Sequence, residues 1–231
     1  MFHVEHSEPH GPSPADSAAS LTLEREPAGV DVVFGARAPL VRRFTADLAQ
    51  HGELLGLIGP LELPRLWSRH VLNSAVVAPY VRDNARVADI GSGAGLPGLV
   101  LAIVRPDARF VLIEPMERRC GWLRAEADRL GLENVDVVRS RAEEALSHGP
   151  FDQVTARAVS ALRSLIPITA PLVRPGGELI LLKGARADEE VAAAAKQIAK
   201  YRLRDVEVLV LGEGVVPEVT RLFRATVDAA S

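Results

Sequence analysis

Short β-rich runs alternate with helical stretches from residue 86 onward, and this alternation constrains the fold more than any other feature. Strands are predicted at 87–90, 110–114, 135–139, 154–156 and 179–182. Helices are predicted between them at about 96–104, 117–131, 161–173 and 187–201. A strand followed by a helix, repeated several times, predicts an α/β fold with a parallel sheet covered by helices on both faces.

The end of the chain follows a different pattern. Two further predicted strands, 206–211 and 221–227, have no helix between them, only the turn residues Gly212, Gly214 and Pro217. Strands joined by so short a connection pair antiparallel, because a parallel pair needs a crossover. The sheet is therefore expected to be mostly parallel and to finish in an antiparallel hairpin.

The N-terminal part divides into a tail and a helical extension. Residues 1–28 are rich in Pro, Ser, Ala and His without apolar periodicity, which is typical of a disordered or late-folding tail. Apolar residues then recur at helical spacing over 37–55 and 61–80. The expected organisation is one domain over 29–231, with an N-terminal helical extension (29–84) and a Rossmann-like core (85–231).

Charge is unevenly distributed along the 231 residues. The net charge is −3, yet the first 30 residues are acidic, which leaves the remainder close to neutral. All but three of the basic residues are arginine. Arginine suits bidentate phosphate contacts, although a GC-rich genome would produce the same bias, so both explanations stand.

Several classes of protein are disfavoured by composition. No apolar run approaches the ~18 residues that cross a bilayer, and the N-terminus lacks a basic start and an apolar stretch. We therefore expect a cytoplasmic protein without a membrane partner. Cys120 is the single cysteine, which excludes an internal disulfide and a cysteine metal cluster. A metal site is not expected, since His3, His6 and His10 lie in the predicted tail.

A glycine-rich loop follows the first predicted strand, with the sequence Asp89-Ile-Gly-Ser-Gly-Ala-Gly-Leu-Pro-Gly98. Glycines at this position let the backbone approach a ligand closely and adopt positive φ angles. Asp89, at the carboxyl end of the strand, is placed to accept hydrogen bonds from a cationic amine. Glu114, at the end of the next strand, suits a carboxylate that binds ribose hydroxyls.

Two cofactors compete for this loop. Gly93-Ala-Gly95-Leu-Pro-Gly98 satisfies the dinucleotide pattern G-x-G-x-x-G, so a nicotinamide cofactor has to be considered. That pattern should begin directly after the strand, at the position of Gly91, but here it begins two residues later at Gly93. Pro97 also lies where a pyrophosphate-binding helix needs free N–H groups. Asp89 suits the methionine amine of S-adenosylmethionine better than a pyrophosphate, and S-adenosylmethionine is the favoured cofactor.

Five segments, in this order, resemble the small-subunit ribosomal RNA methyltransferase G family (RsmG, also called GidB). They are Leu66-Trp-Ser-Arg-His-Val-Leu-Asn-Ser74, Glu114-Pro-Met-Glu-Arg-Arg-Cys-Gly-Trp-Leu-Arg124, Arg139-Ser-Arg-Ala-Glu-Glu144, Ala156-Arg-Ala-Val159 and Leu182-Lys-Gly184. The resemblance runs from about residue 35 to 228. It implies a class I S-adenosylmethionine-dependent methyltransferase fold, with a mostly parallel seven-stranded sheet that ends in an antiparallel strand. Asn73 departs from the Asp found in many members.

The resemblance also implies a reaction and a binding site. The reaction is methyl transfer from S-adenosylmethionine to N7 of one guanine in 16S rRNA, on naked RNA or the 30S subunit, by an enzyme expected to be monomeric. The residues that would bind the cofactor are Asp89, Gly91, Gly93, Gly95, Leu96, Glu114, Ala142, Glu143 and Arg157.

Four basic residues are the candidates for catalysis or RNA contact. Arg69 and His70 would meet the RNA at the mouth of the pocket, although an Arg-His pair on an amphipathic helix is often structural. Arg157 follows the fourth strand, where substrate approaches, and Lys183 ends the fifth, to hold an RNA phosphate or to pair with an acid. Trp67, Trp122 and Cys120 are expected to pack in the core.

Rival functions remain open at this point. A small-molecule or protein methyltransferase would share the fold and the glycine loop, but it would have no reason to carry the Arg69-His70, Arg157-Ala-Val159 and Leu182-Lys-Gly184 segments together. A non-catalytic RNA-binding module would have no need of Asp89, Gly91 and Glu114. Guanine N7 holds a lone pair at neutral pH, so the predicted reaction needs positioning more than a general base.

Overall fold

The computed structural model describes residues 22–228, which form a single seven-stranded sheet in the order β3-β2-β1-β4-β5-β7-β6. Neighbours from β3 through β5 pair parallel, and β7 pairs antiparallel with both β5 and β6. The predicted α/β fold with its terminal antiparallel hairpin is confirmed. The strands are β1 Arg86–Ile90, β2 Arg109–Glu114, β3 Val135–Arg139, β4 Phe151–Arg157, β5 Val173–Lys183, β6 Leu203–Leu211 and β7 Thr220–Val227.

Helices lie on both faces of the sheet. The α-helices are α1 Val30–Phe34, α2 Ala38–His51, α3 Asn73–Ala75, α4 Gly98–Val104, α5 Glu117–Leu130, α6 Leu162–Thr169, α7 Ala187–Ala193 and α8 Ala195–Lys200. A π helix spans Leu66–Leu72. The 3-10 helices are Gly35–Arg37, Pro60–Arg65, Ala78–Tyr80, Ala142–His148 and Ala170–Leu172.

The sheet is buried on both sides, which explains its continuous apolar strands. Along β2, Phe110 and Leu112 face one core cluster, whereas Val111 and Ile113 face the other. The N-terminal extension, α4 and α5 cover the first face, and α6 to α8 cover the second. The extension is therefore part of the main core and not an appendage.

Several boundaries differ from those predicted. β4 and β5 begin earlier than 154 and 179, because Pro150 and the Pro175-Gly-Gly turn obscure the start of each strand pattern. The helix predicted over 61–80 is instead a 3-10 helix, a π helix and shorter turns. The helix predicted over 187–201 is divided at Ala194.

The predicted tail extends to residue 28, but the structure places residues 22–28 against the body. Glu24 accepts a hydrogen bond from Ser68 N at 2.9 Å, and its own N–H donates to Leu63 O. Glu26 forms an ion pair with Arg42 at 2.6 Å. Such partners are far away in the sequence, so composition alone could not reveal them. The rest of the predicted tail lies outside the described residues.

Replacing Phe44 tests whether the N-terminal extension shares the core. Phe44 is fully buried on α2, so Phe44→Ala should lower the free energy of unfolding by about 3–5 kcal/mol. Chemical denaturation followed by circular dichroism measures this change. Val32→Ala is the control, because Val32 is exposed on α1 and should change stability by less than about 0.5 kcal/mol. Equal effects of the two variants would contradict a shared core.

Candidate active site

The glycine loop turns away from β1 in a conformation that glycine makes possible. Gly91, Gly93 and Gly95 have φ angles of 70°, 52° and 94°, which side chains disfavour. The N–H groups of Gly91 and Ser92 both donate to Ile113 O at the end of β2. The loop is thus attached to the neighbouring strand, and it lies at the carboxyl edge of the sheet, where ligands bind in open α/β folds.

Asp89 lies fully buried beneath this loop with one oxygen available. Its Oδ2 accepts the N–H of Gly98, the first residue of α4, at 3.1 Å, whereas Oδ1 has no hydrogen-bond partner. Burial raises the pKa of Asp89 to about 7. A buried carboxylate oxygen without a donor fits a cationic ligand group. The same carboxylate occupies the N-terminus of α4, where a dinucleotide would need to place its pyrophosphate.

Glu114 connects the loop to the end of β2. Its Oε2 accepts the N–H of Gly93 and its Oε1 accepts the N–H of Met116, each at 3.0 Å, and the side chain is 2% exposed. A carboxylate has about four acceptor sites, so each oxygen can still accept a hydroxyl. The position therefore fits the predicted ribose contact, and it also holds the loop in place.

A cavity of about 680 Å³ opens beside the loop, and we call it the loop cavity. It is lined by Ile90, Gly91, Ile113, Pro115, Met116, Arg139, Ser140, Arg141, Ala142, Glu143, Glu144, Val159 and Ile168. Three predicted cofactor residues, Gly91, Ala142 and Glu143, are among them. Leu96 packs instead against the core, and Gly93 and Gly95 stay within the loop.

Residues missed by the sequence analysis also line the loop cavity. Met116 and Val159 present exposed apolar surface at its rim, 45% and 40% exposed. The sequence could have indicated both, because Met116 and Val159 follow the ends of predicted strands by two and three residues. Large exposed apolar side chains beside a cavity are typical of a surface that binds a flat, apolar ligand group.

A second cavity, about 650 Å³, lies on the other side of β4, and we call it the basic cleft. Its lining is Arg69, Asn73, Arg157, Ala158, Leu182, Lys183, Gly184, Ala185, Glu218, Val219, Thr220 and Arg221. Four of these residues are cationic and one is acidic. The π helix, β4, β5 and the start of β7 each contribute a cation, so the fold concentrates positive charge here. Such a cleft attracts an anionic partner.

The two cavities are separated by Arg157, Ala158 and Val159, which we call the partition. Arg157 and Ala158 line the basic cleft, whereas Val159 lines the loop cavity. Ala158 has a φ of 54°, a left-handed conformation that is unfavourable for a residue with a side chain. This turn directs the two flanking side chains into different surroundings.

Arg157 is held by the N-terminal extension. Its Nη1 donates to His70 O at 3.0 Å and to Ser74 Oγ at 3.3 Å. Its Nη2 donates to Arg69 O at 2.9 Å and to His70 Nδ1 at 2.7 Å. Burial lowers the pKa of Arg157 to about 10, so it remains cationic at neutral pH. Four of its five N–H donors are used within the protein. Arg157 was predicted to bind the cofactor, but it lines the basic cleft and not the loop cavity.

The other predicted catalytic residues have different surroundings. Arg69 is exposed at the basic cleft. His70 is mostly buried, and its Nε2 lies 2.6 Å from Glu62 Oε2; burial lowers its pKa. Lys183 pairs with Glu190 at 2.7 Å and donates to Ser160 O at 2.8 Å. The pairing of Lys183 with an acid is one of the two roles that the sequence left open.

The residues predicted to pack in the core do so. Trp67, Trp122 and Cys120 are buried, and Trp122 Nε1 donates to Ala94 O at 3.1 Å. Among residues 22–228, no group of three or more His, Cys, Asp or Glu side chains could hold a metal ion. Within the same range, no helix combines the length and apolar character that crossing a membrane requires.

The fold is that of class I methyltransferases. Similar solved structures include precorrin-6y C5,15-methyltransferase from Geobacter metallireducens, with a TM-score of 0.52 and 18% identity, covering 73% of this chain and 89% of that one. Another is a predicted O-methyltransferase from Agrobacterium tumefaciens, with a TM-score of 0.54 and 20% identity, covering 67% and 80%. These likenesses concern the fold alone.

Sequence relatives define the family. The family model of rRNA small subunit methyltransferase G matches residues 37–219. The ribosomal RNA small subunit methyltransferase G of Leifsonia xyli is 64% identical, covering 89% of this chain and 98% of that protein. The protein of the same name from Clavibacter michiganensis is 61% identical, covering 90% and 98%. The chain belongs to the rRNA small subunit methyltransferase G family.

Gly98 tests the close approach of α4 to Asp89. A Cβ at Gly98 would lie 2.4 Å from Leu112 Cδ2 and 2.5 Å from Asp89 Oδ2. Gly98→Ala should therefore destabilise the protein by about 1–3 kcal/mol through overpacking, measured as a shift of the denaturation midpoint. Gly121→Ala on the exposed face of α5 is the matched control, because its Cβ meets nothing within 4 Å. A midpoint for Gly98→Ala at or above that of the control would refute the packing account.

Proposed function

We propose that this protein transfers the methyl group of S-adenosylmethionine to N7 of one guanine in the 16S rRNA of the small ribosomal subunit. The observation that carries the proposal is the pair of adjoining cavities at the carboxyl edge of the sheet. The loop cavity has the glycine backbone and apolar rim that suit the cofactor, and the buried carboxylates Asp89 and Glu114 are the sequence neighbours of its lining residues Ile90, Ile113 and Pro115. The basic cleft has the charge that suits RNA, and the partition lies between them.

The residues in and next to the loop cavity account for each part of the cofactor. The free Oδ1 of Asp89 would accept the ammonium of the methionine moiety, and Glu114 would accept ribose hydroxyls. Ala142 and Glu143 would lie at the adenine end, together with the apolar surface of Met116. When bound, the cofactor supplies a methyl group on a sulfonium centre, which a nucleophile can attack directly.

The protein's task in this reaction is positioning. Guanine N7 already carries a lone pair, so no base has to remove a proton before attack. The side chains of His70 and Lys183 are each held by a carboxylate, Glu62 and Glu190 respectively. This arrangement suits a reaction without a general base at the cleft. Arg69 and Arg221 would bind RNA phosphates and hold the base beside the partition.

A small-molecule or protein methyltransferase is the alternative activity. Structural neighbours at 18–20% identity include a precorrin methyltransferase and a predicted O-methyltransferase, and a cavity like the loop cavity would suit the cofactor of such enzymes equally. The four cations of the basic cleft favour a polyanionic substrate. The names of relatives up to 64% identical favour rRNA among such substrates. An enzyme that acts on rRNA would work in the cytoplasm. Its monomeric state stays a prediction.

Methyl labelling tests the proposed function. The purified protein is incubated with tritiated S-adenosylmethionine and either naked 16S rRNA or 30S subunits, and the product is mapped by mass spectrometry. We expect label as 7-methylguanosine at a single position. Cofactor binding without RNA labelling on either substrate would overturn the proposal and favour the alternative activity. The comparison of the two substrates identifies the form of RNA that the enzyme accepts.

The pKa of Asp89 predicts how cofactor affinity depends on pH. Because this pKa is raised to about 7, the carboxyl group is largely protonated below pH 7 and must lose its proton to bind an ammonium. Affinity for S-adenosylhomocysteine, which carries the same ammonium, should therefore weaken as pH falls from 7 to 5, by up to about tenfold per unit. It should level off above pH 7.

Isothermal titration calorimetry across this pH range measures the effect. Asp89→Asn cannot ionise at this position, so its affinity should be weak and nearly independent of pH over the same range. A wild-type affinity that stays constant from pH 5 to 7 would show that Asp89 does not receive the ammonium.

A further inference from the structure

Glu62 is linked to the candidate active site although it lies outside both cavity linings. It is on the 3-10 helix Pro60–Arg65, where Arg65 donates to both of its oxygens, at 3.0 and 2.7 Å. Its Oε2 also lies 2.6 Å from His70 Nε2. Burial acts to raise the pKa of Glu62, but the hydrogen bonds from Arg65 and His70 lower it to about 2. Glu62 is therefore a fixed anionic acceptor at neutral pH.

The contacts of His70 determine which of its ring nitrogens carries the proton. Arg157 Nη2, 2.7 Å from His70 Nδ1, can only donate, so Nδ1 must be the acceptor. A neutral ring then carries its proton on Nε2, which donates to Glu62. In the other tautomer, an N–H on Nδ1 would face the N–H of Arg157, and Nε2 would have no proton for Glu62. Glu62 thus stabilises the one tautomer that accepts from Arg157.

The position of Arg157 in turn affects the partition. Arg157 begins the partition, Ala158 turns it in a left-handed conformation, and Val159 ends it. A Cβ on Gly91 would lie 3.1 Å from Val159 Cγ2, so the partition packs closely on the glycine loop. Loss of the His70 acceptor would release part of the restraint on Arg157, and the strained turn at Ala158 would relax.

We propose that Glu62 is a positioning residue for methyl transfer: it holds His70 in the Nε2–H tautomer, and His70 fixes Arg157 and the partition between the loop cavity and the basic cleft. The inference rests on the proposed function, because it assumes that the methyl group passes from one cavity to the other. Glu62 itself contacts neither substrate. Its effect is transmitted through two hydrogen bonds.

Two substitutions of Glu62 separate positioning from packing. Glu62→Ala removes the acceptor of the Nε2 proton, so the His70 ring should no longer be held in one tautomer and one orientation, and its ¹⁵N spectrum should change. As a result, kcat should fall by about 10- to 100-fold with a much smaller change in the KM for RNA. Glu62→Gln retains a carbonyl oxygen that can accept from Nε2–H. It should keep the wild-type tautomer and recover most of kcat.

The measurements are the ¹⁵N NMR spectrum of the His70 ring, assigned with His70→Asn, and steady-state methylation of the RNA. Glu26→Gln is the matched control, because Glu26 also pairs with an arginine, Arg42, in the N-terminal extension but does not touch His70. It should change neither readout. If Glu62→Ala fails to fold, Glu62→Asp replaces it, since the shorter side chain withdraws its carboxylate from Nε2.

An unchanged ¹⁵N spectrum of the His70 ring in Glu62→Ala, or equal losses of kcat in the Ala and Gln variants, would overturn the inference. A failure of the proposed function is distinguishable from these results. If the wild-type protein methylates no RNA, the proposed function is refuted, whereas the NMR spectrum, which needs no substrate, still decides whether Glu62 sets the tautomer of His70.

Discussion

The hydrogen bonds of Arg157 join the carboxyl end of β4 to the N-terminal extension, and the arrangement of the site depends on them. A guanidinium that is mostly buried is costly unless its donors are satisfied. Here backbone carbonyls, a hydroxyl and an imidazole nitrogen accept from it. Because these acceptors lie on the π helix and α3, the same bonds place Arg69 at the basic cleft and fix the partition beside the glycine loop.

Two buried carboxylates, Asp89 and Glu114, hold the backbone in place on the other side of the partition. Asp89 caps α4 through Gly98, and Glu114 accepts backbone N–H groups from the loop and from the chain after β2. Each bond holds local backbone in place, and each carboxylate keeps acceptor capacity for a ligand. The groups proposed to bind the cofactor therefore also maintain the shape of its site, so substitutions there should affect folding as well as binding.

The sequence predicts the fold well because the sheet is governed by local patterns. Apolar runs and turn residues predict the alternating strands and helices and the terminal hairpin. The glycine loop and the family resemblance together predict Gly91, Ala142 and Glu143, which line one cavity. The remainder depends on contacts between distant residues. The π helix, the docking of residues 22–28 and the link from Glu62 through His70 to Arg157 have no periodic signature. Likewise, the sequence could not reveal that Lys183 pairs with Glu190.

A crystal structure of the protein with S-adenosylhomocysteine at neutral pH tests the central claim, that the cofactor and the substrate occupy opposite sides of the partition. The account predicts the ligand in the loop cavity, with its ammonium at Asp89 Oδ1, its ribose at Glu114 and its sulfur facing the partition. The basic cleft should stay open. A ligand bound in the basic cleft, or one whose ammonium lies away from Asp89, would contradict the account.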